Sequence, residues 1–487
     1  MTVLLSPEIE KIVPPEELLS ISKRIAQKDV TIWGPGTEAP TRMGWVDLAT
    51  RSRILLPLLD ALSVSMRDRG MEEVVLSGMG GSSLAPEVIA RSFASDAARR
   101  LTILDSTHPD FIESILHRDL SRTMFVISSK SGTTIETSSH LAAIRQALRE
   151  QSLDPIDHLL VVTDPGSPLE ELATEQSWRC VVGDPEVGGR FSALSAFGLV
   201  PTALLGLDPS LILDDAEELL AKIHEPATKI ALYLAQERFV YFKDSGSNVP
   251  GLADWIEQLI AESTGKQGKG VLPIALNSSE PHSDDPVIDL ANTVVAPLGA
   301  HFILWEWVTA LLGYLLKVDP FDQPDVQATK SKTSEVLRTV ASLRPEDGAI
   351  PIDQFASAVN QLLRGRSYLA ICAFLDPRDS TSIAQLQGVL AKRFRVPVAF
   401  GWGPRFLHST GQFHKGGPHE GVFISITSKS KANVEIPGRD FSFDSLILAQ
   451  AWGDRMALVE SGSPVIQIHL DDPKVEIDRL LAQFNDV

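Results

Sequence analysis

Apolar positions along the chain follow two different periods, and each period predicts a different kind of element. Near the beginning they recur at spacings of three and four, which predicts helices over residues 15–28 and 46–69. Farther on, short apolar runs alternate with helical stretches, and such runs are typical of buried strands. The strands predicted in this first group are 73–76, 101–104, 124–127 and 159–162, and a helix at about 134–148 follows the third of them.

A second group of alternating elements begins near residue 226. Helices are predicted at 251–260 and 297–317, among strands at 239–242, 271–274, 368–371 and 396–399. The part from about residue 409 adds strands at 421–426 and 465–468 and a last helix at 473–484.

Strands that alternate with helices indicate parallel sheets covered by helices on both faces. We therefore predict an α/β protein with two αβα sandwich domains. Residues 1–225 form the N-terminal helices and the first domain, and residues 226–487 form the second domain with a C-terminal α+β extension.

The composition restricts the partners of this protein. Its 487 residues are 44% hydrophobic and 22% charged, as in ordinary globular proteins, and the formal net charge is −19. Nucleic acids and anionic membrane surfaces require a basic face, so we expect neither as a partner. The run from Pro297 to Val318 is almost long enough to cross a bilayer, but it carries His301, Glu306 and Lys317, and we predict a buried core helix.

The cysteine content indicates a reducing compartment. Cys180 and Cys372 both lie in apolar runs, and we predict that they are buried and reduced. The first eight residues lack the basic segment and long apolar core of a signal peptide. Both observations predict a cytoplasmic protein.

The first glycine-rich turn, residues 78–83, follows the strand predicted at 73–76. A dinucleotide-binding fingerprint would require glycine where Ser83 stands, which weakens the hypothesis of a nucleotide-dependent oxidoreductase. A phosphate-binding P-loop is also not matched, because Lys266 is followed by Gln267 and an earlier glycine is missing.

The second turn, residues 128–134, indicates an anion site. Its hydroxyls belong to Ser129, Ser131, Thr133 and Thr134, at the predicted start of a helix. A helix start offers unpaired N–H groups and partial positive charge, so this turn can surround a phosphate monoester. N-capping is the simpler interpretation, but a single hydroxyl would be enough for it. Both turns should meet at the carboxyl edge of the sheet, where ligands bind in such folds.

Two charged residues complete the predicted chemistry. Glu262 follows the predicted helix 251–260 directly, and a carboxylate near an anion site can transfer a proton. Arg190 comes after two glycines and could stabilise negative charge on a substrate oxygen, although it could also be a surface arginine in a loop. Together with the hydroxyl turn, these residues predict an enzyme that isomerises a sugar phosphate.

The ordered motifs GMGGSSLAP, SSKSGTT, GGRFS, ESTGK and FDQPDVQATK, over about residues 70–335, resemble phosphoglucose isomerases of the sugar-isomerase-domain type. The segment LHSTGQFHKGGP, residues 407–418, is most similar to the isomerase part of bacterial transaldolase–phosphoglucose isomerase fusions. The resemblance implies two sugar-isomerase-type domains. It also implies interconversion of glucose 6-phosphate and fructose 6-phosphate through ring opening and a cis-enediolate, without a metal or other cofactor.

The resemblance also implies a role for each matching residue. Glu262 is the base that shuttles a proton between C1 and C2, Arg190 lies beside the enediolate, and Lys330 lies near the phosphate and the ring oxygen. The implied substrate and phosphate contacts are Gly81, Ser82, Ser129, Lys130 (through its backbone), Ser131, Thr134 and Gln323.

The candidate ring-opening histidine of this chain does not occupy the place in the sequence that is usual in the family. In the common enzymes the ring-opening histidine comes between the glutamate motif and the FDQ motif, and it reaches the site from the neighbouring subunit of a homodimer. Here His408, in LHSTGQ, comes after both motifs, with His414 and Lys415 as rivals. His408 could act within its own chain or across a subunit interface.

Other functions remain open from the sequence alone. The enzyme could act on mannose 6-phosphate as well as on glucose 6-phosphate. A non-catalytic sugar-phosphate-binding regulator would keep the hydroxyl turns without the glutamate, whereas Glu262 is present. A dinucleotide oxidoreductase is disfavoured by Ser83.

Overall fold

The computed structural model describes residues 3–276, 280–281, 284–339 and 344–484, without the side chains of 326–330. The strands are β1 (Leu4–Leu5), β2 (Glu73–Ser77), β3 (Arg100–Leu104), β4 (Thr123–Ser128), β5 (Leu159–Thr163), β6 (Arg179–Val182), β7 (Phe239–Lys243), β8 (Leu272–Ala275), β9 (Val287–Asp289), β10 (Val294–Val295), β11 (Tyr368–Phe374), β12 (Val398–Trp402), β13 (Gly421–Ser428) and β14 (Val465–Leu470).

The α-helices lie between these strands in the alternation that the sequence predicts. They are α1 (Pro7–Glu10), α2 (Glu16–Ala26), α3 (Leu48–Arg51), α4 (Leu56–Asp68), α5 (Leu84–Ser92), α6 (Pro109–Leu116), α7 (Ile135–Glu150), α8 (Pro155–His158), α9 (Pro168–Glu175), α10 (Ala196–Leu204), α11 (Pro209–Leu220), α12 (His224–Leu234), α13 (Leu252–Thr264), α14 (Leu298–Leu316), α15 (Pro324–Leu337), α16 (Phe355–Leu362), α17 (Gln385–Phe394), α18 (Gly411–Gly416), α19 (Phe443–Glu460) and α20 (Pro473–Ala482).

The first sheet is parallel throughout, with strand order β3-β2-β4-β5-β6. Every residue of β2, β4 and β5 is buried, as expected for a sheet covered on both faces. The four predicted strands are confirmed. The edge strand β6 was not predicted, because it is short and its two terminal residues are exposed. Cys180 lies on β6 and is only half-buried, so the prediction that it is buried is wrong, whereas Cys372 on β11 is buried.

In the C-terminal half, two more parallel sheets are ordered β8-β7-β9 and β12-β11-β13-β14, whereas β10 pairs antiparallel with β1. Gln387 lies between them and donates from its side-chain amide to the carbonyls of Ala275 (2.9 Å) and Val398 (3.1 Å), at neighbouring edges of the two sheets. β13 and β14, predicted as part of an extension, pair in parallel beside β11 and enlarge its sheet.

One hydrophobic core extends across the predicted domain boundary at 225/226. It joins residues of β2 and α10, such as Leu76 and Leu199, to residues of α13 and α14, such as Ile256 and Trp305. The boundary therefore remains a prediction.

Among the described helices, α14 alone is long and apolar enough to cross a membrane. Within the fold, 89% of its most apolar stretch of 18 residues is buried. Its polar residues His301 and Glu306 are fully buried. Burial lowers the pKa of His301 to about 3, so its imidazole is neutral near pH 7, and burial raises the pKa of Glu306 well above its usual value. The prediction of a buried core helix is confirmed.

Candidate active site

The two glycine-rich turns meet at one edge of the first sheet. Because β2 and β4 are adjacent and parallel, the turns that follow them leave the sheet on the same side. A cavity of about 350 Å³ opens there. The predicted site residues that line it are Gly81, Ser82, Lys130, Ser131, Thr134, Arg190, Glu262, Gln323 and His408.

Two predicted residues are not among those that line this cavity. Ser129 is buried at 3% exposure. Its hydroxyl bonds at 3.0 Å to the hydroxyl of Thr134, which does line the cavity, so Ser129 positions Thr134. Lys330 belongs to α15, and its side chain lies outside the described residues.

Close backbone packing explains the glycines of the first turn. A Cβ on Gly81 would lie 2.0 Å from the carbonyl oxygen of Gly189, in the turn that carries Arg190. Gly80 has a φ of 53°, and a Cβ there would lie 2.7 Å from both the Gln258 amide nitrogen and the His408 carbonyl oxygen. These glycines therefore bring three segments of the site together.

The hydroxyl turn is arranged around the start of α7. Thr134 occupies the N-cap position, but its side chain makes no capping hydrogen bond and pairs with Ser129 instead. The Ser131 hydroxyl bonds to the Thr133 hydroxyl at 3.0 Å. N-capping by Thr134 thus does not explain the turn, and the start of a long helix with its partial positive charge lies at the cavity.

The Lys130 side chain is engaged at the same end of the cavity. Its ammonium group pairs with the Asp164 carboxylate and donates to the Asp184 carbonyl at 3.2 Å. Burial lowers the pKa of Lys130, while the pairing with Asp164 acts in the opposite direction. The ammonium group is therefore already paired, and a phosphate contact through the Lys130 backbone stays a prediction.

Glu262 lies inside α13, in its last turn, so the prediction that the helix ends before it is wrong. The Thr264 hydroxyl donates to the Ile260 carbonyl at 2.8 Å and is satisfied within the helix, which continues past Glu262 to Thr264. The Glu262 carboxylate is buried. It accepts hydrogen bonds from Arg190 at 3.1 Å and from the Gln258 amide at 3.1 Å.

Arg190 is a buried residue, so the interpretation as a surface arginine is wrong. It is 2% exposed, and besides Glu262 it donates to the Ser263 hydroxyl at 2.7 Å and to the carbonyls of Pro320 (2.7 Å) and Asp322 (3.1 Å). These acceptors fix its planar guanidinium group. A fixed positive charge therefore lies directly beside the carboxylate of Glu262.

His408 reaches the cavity from the turn after β12, within the same chain. Its Nε2 lies 3.0 Å from Oε1 of Glu136, a buried residue in the first turn of α7. Gln450 donates to the same carboxylate oxygen at 2.7 Å and accepts from the Thr107 hydroxyl at 2.6 Å. A carboxylate held in this way orients the imidazole toward the cavity.

The rival residues lie elsewhere. His414 is buried beside Tyr368, with its Nδ1 3.3 Å from the tyrosine hydroxyl, and burial lowers the pKa of His414 to about 3. Lys415 pairs with buried Asp454 at 2.6 Å. Neither lines the cavity, so the structure favours His408.

The turn that carries His408 is attached to the first sheet through Arg405. Its guanidinium group pairs with Glu87 of α5 at 2.6 Å and with Asp105, after β3, at 3.0 Å. Burial raises the pKa of Asp105, which shows the cost of charging this carboxyl without Arg405.

We expect Arg405→Gln to destabilise the protein by about 3 kcal/mol, because it leaves the buried carboxylate of Asp105 without its partner. Urea unfolding measures the change. Arg479→Gln, which removes an exposed ion pair with Asp353, should change stability by less than about 1 kcal/mol. Adding Asp105→Asn to Arg405→Gln should restore part of the loss, and no restoration would contradict this explanation.

Several residues of the site were not predicted from the sequence. Gln258 and Glu136 bond to the proposed catalytic side chains, and Glu38, Arg42 and Asp164 line the cavity. Gln258 could have been found, because it lies four residues before Glu262 and therefore on the same face of the helix. The other residues give no comparable signal in the sequence.

Residues 64–228 match the family model described as "Phosphoglucose isomerase". "Probable glucose-6-phosphate isomerase" of Haloquadratum walsbyi is 34% identical over 222 residues, which are 43% of this chain and 52% of that protein. "Glucose-6-phosphate isomerase" of Thermus thermophilus is 32% identical over 270 residues, 52% of this chain and 63% of that protein. The chain thus matches only about half the length of such curated relatives.

A solved structure extends the likeness to the fold. The crystal structure of a glucose-6-phosphate isomerase from Chlamydia trachomatis aligns with a TM-score of 0.53 at 18% identity, over 72% of this chain and 86% of that chain. Together with the parallel sheets, this likeness confirms the predicted sugar-isomerase-type α/β fold.

Proposed function

We propose that this chain, whose residues 64–228 match the phosphoglucose isomerase family model, interconverts glucose 6-phosphate and fructose 6-phosphate. The observation that carries this proposal is the shared cavity of Glu262, His408, Arg190 and the hydroxyl turn. A base, a ring-opening group, a fixed cation and an anion site are the parts that this reaction requires.

Binding places the phosphate against the hydroxyls of Ser131 and Thr134 and the start of α7. His408, held by Glu136, donates a proton to the ring oxygen as its bond to the anomeric carbon breaks, and the anomeric hydroxyl gives its proton to solvent as the carbonyl forms. The role of Lys330 at this step remains a prediction.

Glu262 then removes the proton from C2 of the open aldose, the hydroxyl proton of O2 passes to O1, and Glu262 delivers its proton to C1, which leaves the carbonyl at C2. The intermediate is a cis-enediolate, and its negative charge is stabilised by Arg190, which already lies beside Glu262. Because the arginine is held by fixed acceptors, little reorganisation is needed as the charge develops.

A single chain supplies both His408 and Glu262 to the cavity. We therefore propose that each active site is completed within one chain, whether or not the protein forms the homodimer that is usual in the family. The similarity of residues 407–418 to transaldolase–phosphoglucose isomerase fusions and a cytoplasmic location also remain proposals.

A coupled assay with fructose 6-phosphate tests the activity, with mannose 6-phosphate as a parallel substrate. We expect glucose 6-phosphate to form from fructose 6-phosphate. Binding of sugar phosphates without turnover would instead support the non-catalytic regulator, although the placement of Glu262 in the cavity argues against it.

Thr134→Ala and Ser131→Ala should each raise KM for fructose 6-phosphate by about 10- to 100-fold with little change in kcat, because each removes a hydrogen bond to a charged phosphate. Steady-state kinetics measure this. Ser138→Ala is the matched control, since Ser138 lies on the same helix and bonds to the Ile135 carbonyl. An unchanged KM in the double variant would remove the proposed phosphate site.

A further inference from the structure

The cavity has a wall that belongs to none of the sequence motifs and lies outside the residues matched by the family model. This wall is the loop 38–44, which precedes α3. Glu38 and Arg42 of this loop line the cavity together with the hydroxyl turn.

The loop is fixed in place by the segment that leads to Arg190. The Gly44 N–H donates to the Glu186 carbonyl at 3.0 Å, and Nη1 of Arg42 donates to the Pro185 carbonyl at 3.0 Å. A Cβ on Gly44 would lie 3.0 Å from Glu186, so the two segments are in close contact. Arg42 is thus held at the cavity by backbone contacts.

The guanidinium group of Arg42 has one nitrogen available for a ligand. Nε pairs with Oε2 of Glu38 at 3.0 Å, and Nη1 donates to the carbonyls of Thr41 (3.3 Å) and Pro185 (3.0 Å). Nη2 makes no hydrogen bond to the part of the chain that the structure describes. The side chain is 30% exposed, so a ligand can reach it.

The other described cations of the cavity are more firmly engaged. Arg190 is bound to Glu262 and to three further acceptors, and Lys130 is bound to Asp164 and to the Asp184 carbonyl. Arg42 lines the same cavity as Lys130 and Asp164, together with the hydroxyl turn. A phosphate dianion that enters a protein of net charge −19 needs such a local cation.

We propose that Arg42 binds the phosphate group of the sugar phosphate through Nη2 and exchanges part of its pairing with Glu38 for the phosphate. Guanidinium is well suited to this contact, because its N–H groups match the spacing of phosphate oxygens. The proposal rests on the proposed function, and it assigns to the loop 38–44 a role in recognising the charged end of the substrate.

Binding of sorbitol 6-phosphate, which has no carbonyl group to isomerise, tests this proposal by calorimetry on the full chain. Arg42→Ala should weaken binding about 10- to 100-fold and raise KM for fructose 6-phosphate by a similar factor, with kcat within about threefold. Arg42→Lys should give an intermediate loss, because the charge remains and the forked geometry is lost.

Glu38→Gln separates phosphate binding from a purely structural role. It removes the carboxylate that competes with phosphate for Arg42, so it should tighten the binding of sorbitol 6-phosphate about two- to fivefold. Arg53→Ala is the control, since Arg53 pairs with Asp214 and Glu217 outside the cavity and should leave binding unchanged. A structural role of the loop predicts weaker binding for Glu38→Gln as well.

The outcomes distinguish this proposal from the proposed function. Unchanged binding of sorbitol 6-phosphate by Arg42→Ala, in a protein that isomerises fructose 6-phosphate, would overturn only the role of Arg42. A second outcome is that the unsubstituted protein binds sorbitol 6-phosphate tightly but does not isomerise fructose 6-phosphate, while Arg42→Ala loses the binding. This outcome would support the role of Arg42 and overturn the proposed function. No binding by the unsubstituted protein would overturn the role of Arg42.

Discussion

Glu262→Gln is expected to lower kcat for fructose 6-phosphate by a factor on the order of 10²–10⁴, while sorbitol 6-phosphate binds within a few-fold of its normal affinity. The amide cannot accept the proton that must move between C1 and C2, yet it has the same shape as the acid. Loss of the negative charge also leaves Arg190 free to attract the anionic ligand. Steady-state kinetics and calorimetry measure the two effects separately.

Glu257→Gln is the matched control for this substitution. Glu257 lies on the same helix, is not part of the cavity that holds Glu262, and accepts a hydrogen bond from the Ala275 N–H at 3.1 Å. Burial raises the pKa of Glu257 well above its usual value, which is the direction that favours the uncharged acid, so the uncharged amide of the same shape should change little. If Glu262→Gln abolished binding together with activity, Glu262 would be a structural residue and not the base.

His408→Gln is expected to reduce kcat/KM for fructose 6-phosphate by a factor on the order of 10²–10⁴, because the closed ring loses its proton donor. The loss should be much smaller with 5-deoxyfructose 6-phosphate, which lacks the hydroxyl that closes the ring and therefore needs no opening. Comparing both substrates in the coupled assay isolates the ring-opening step. The control is His419→Gln, at an exposed position directly after the segment 407–418, and it should leave both rates unchanged.

Equal losses with both substrates would contradict a role of His408 in ring opening. Glu136→Gln offers a second check, because Glu136 does not line the cavity and would act on the reaction through the orientation of His408. It should lower activity with fructose 6-phosphate less than His408→Gln does. It should also leave turnover of the open-chain substrate nearly intact.

The sequence predicted those parts of the fold that depend on local hydrophobic pattern. Runs such as Val74–Leu76 and Met124–Ile127 are apolar because strands in a covered parallel sheet are buried on both faces. Once these strands are adjacent and parallel, the turns after them must lie at one edge. The meeting of the hydroxyl turn with Ser82 was therefore predictable from the strand pattern.

Other features depend on contacts that no local pattern encodes. Strand β6 is short and partly exposed, so its sequence lacks the continuous apolar run of the central strands. The end of α13 was misplaced because Thr264 bonds back to the helix, which its polarity alone does not reveal. Arg42 and Asp164 enter the cavity from loops whose positions are set by tertiary packing. Glu136 could be identified only after His408 was placed beside it.

The central claim is that one chain brings the carboxylate of Glu262 and the imidazole of His408 to a single cavity. Co-expression of Glu262→Gln and His408→Gln chains with two different tags, followed by purification through both tags, tests this claim directly. The mixed assembly should remain as inactive as the two single variants, because each site keeps one defective residue. If no doubly tagged protein is obtained, the chains do not associate, and each site must be completed within one chain. Activity recovered in the doubly tagged protein would show that the two residues come from different chains, and it would contradict the account.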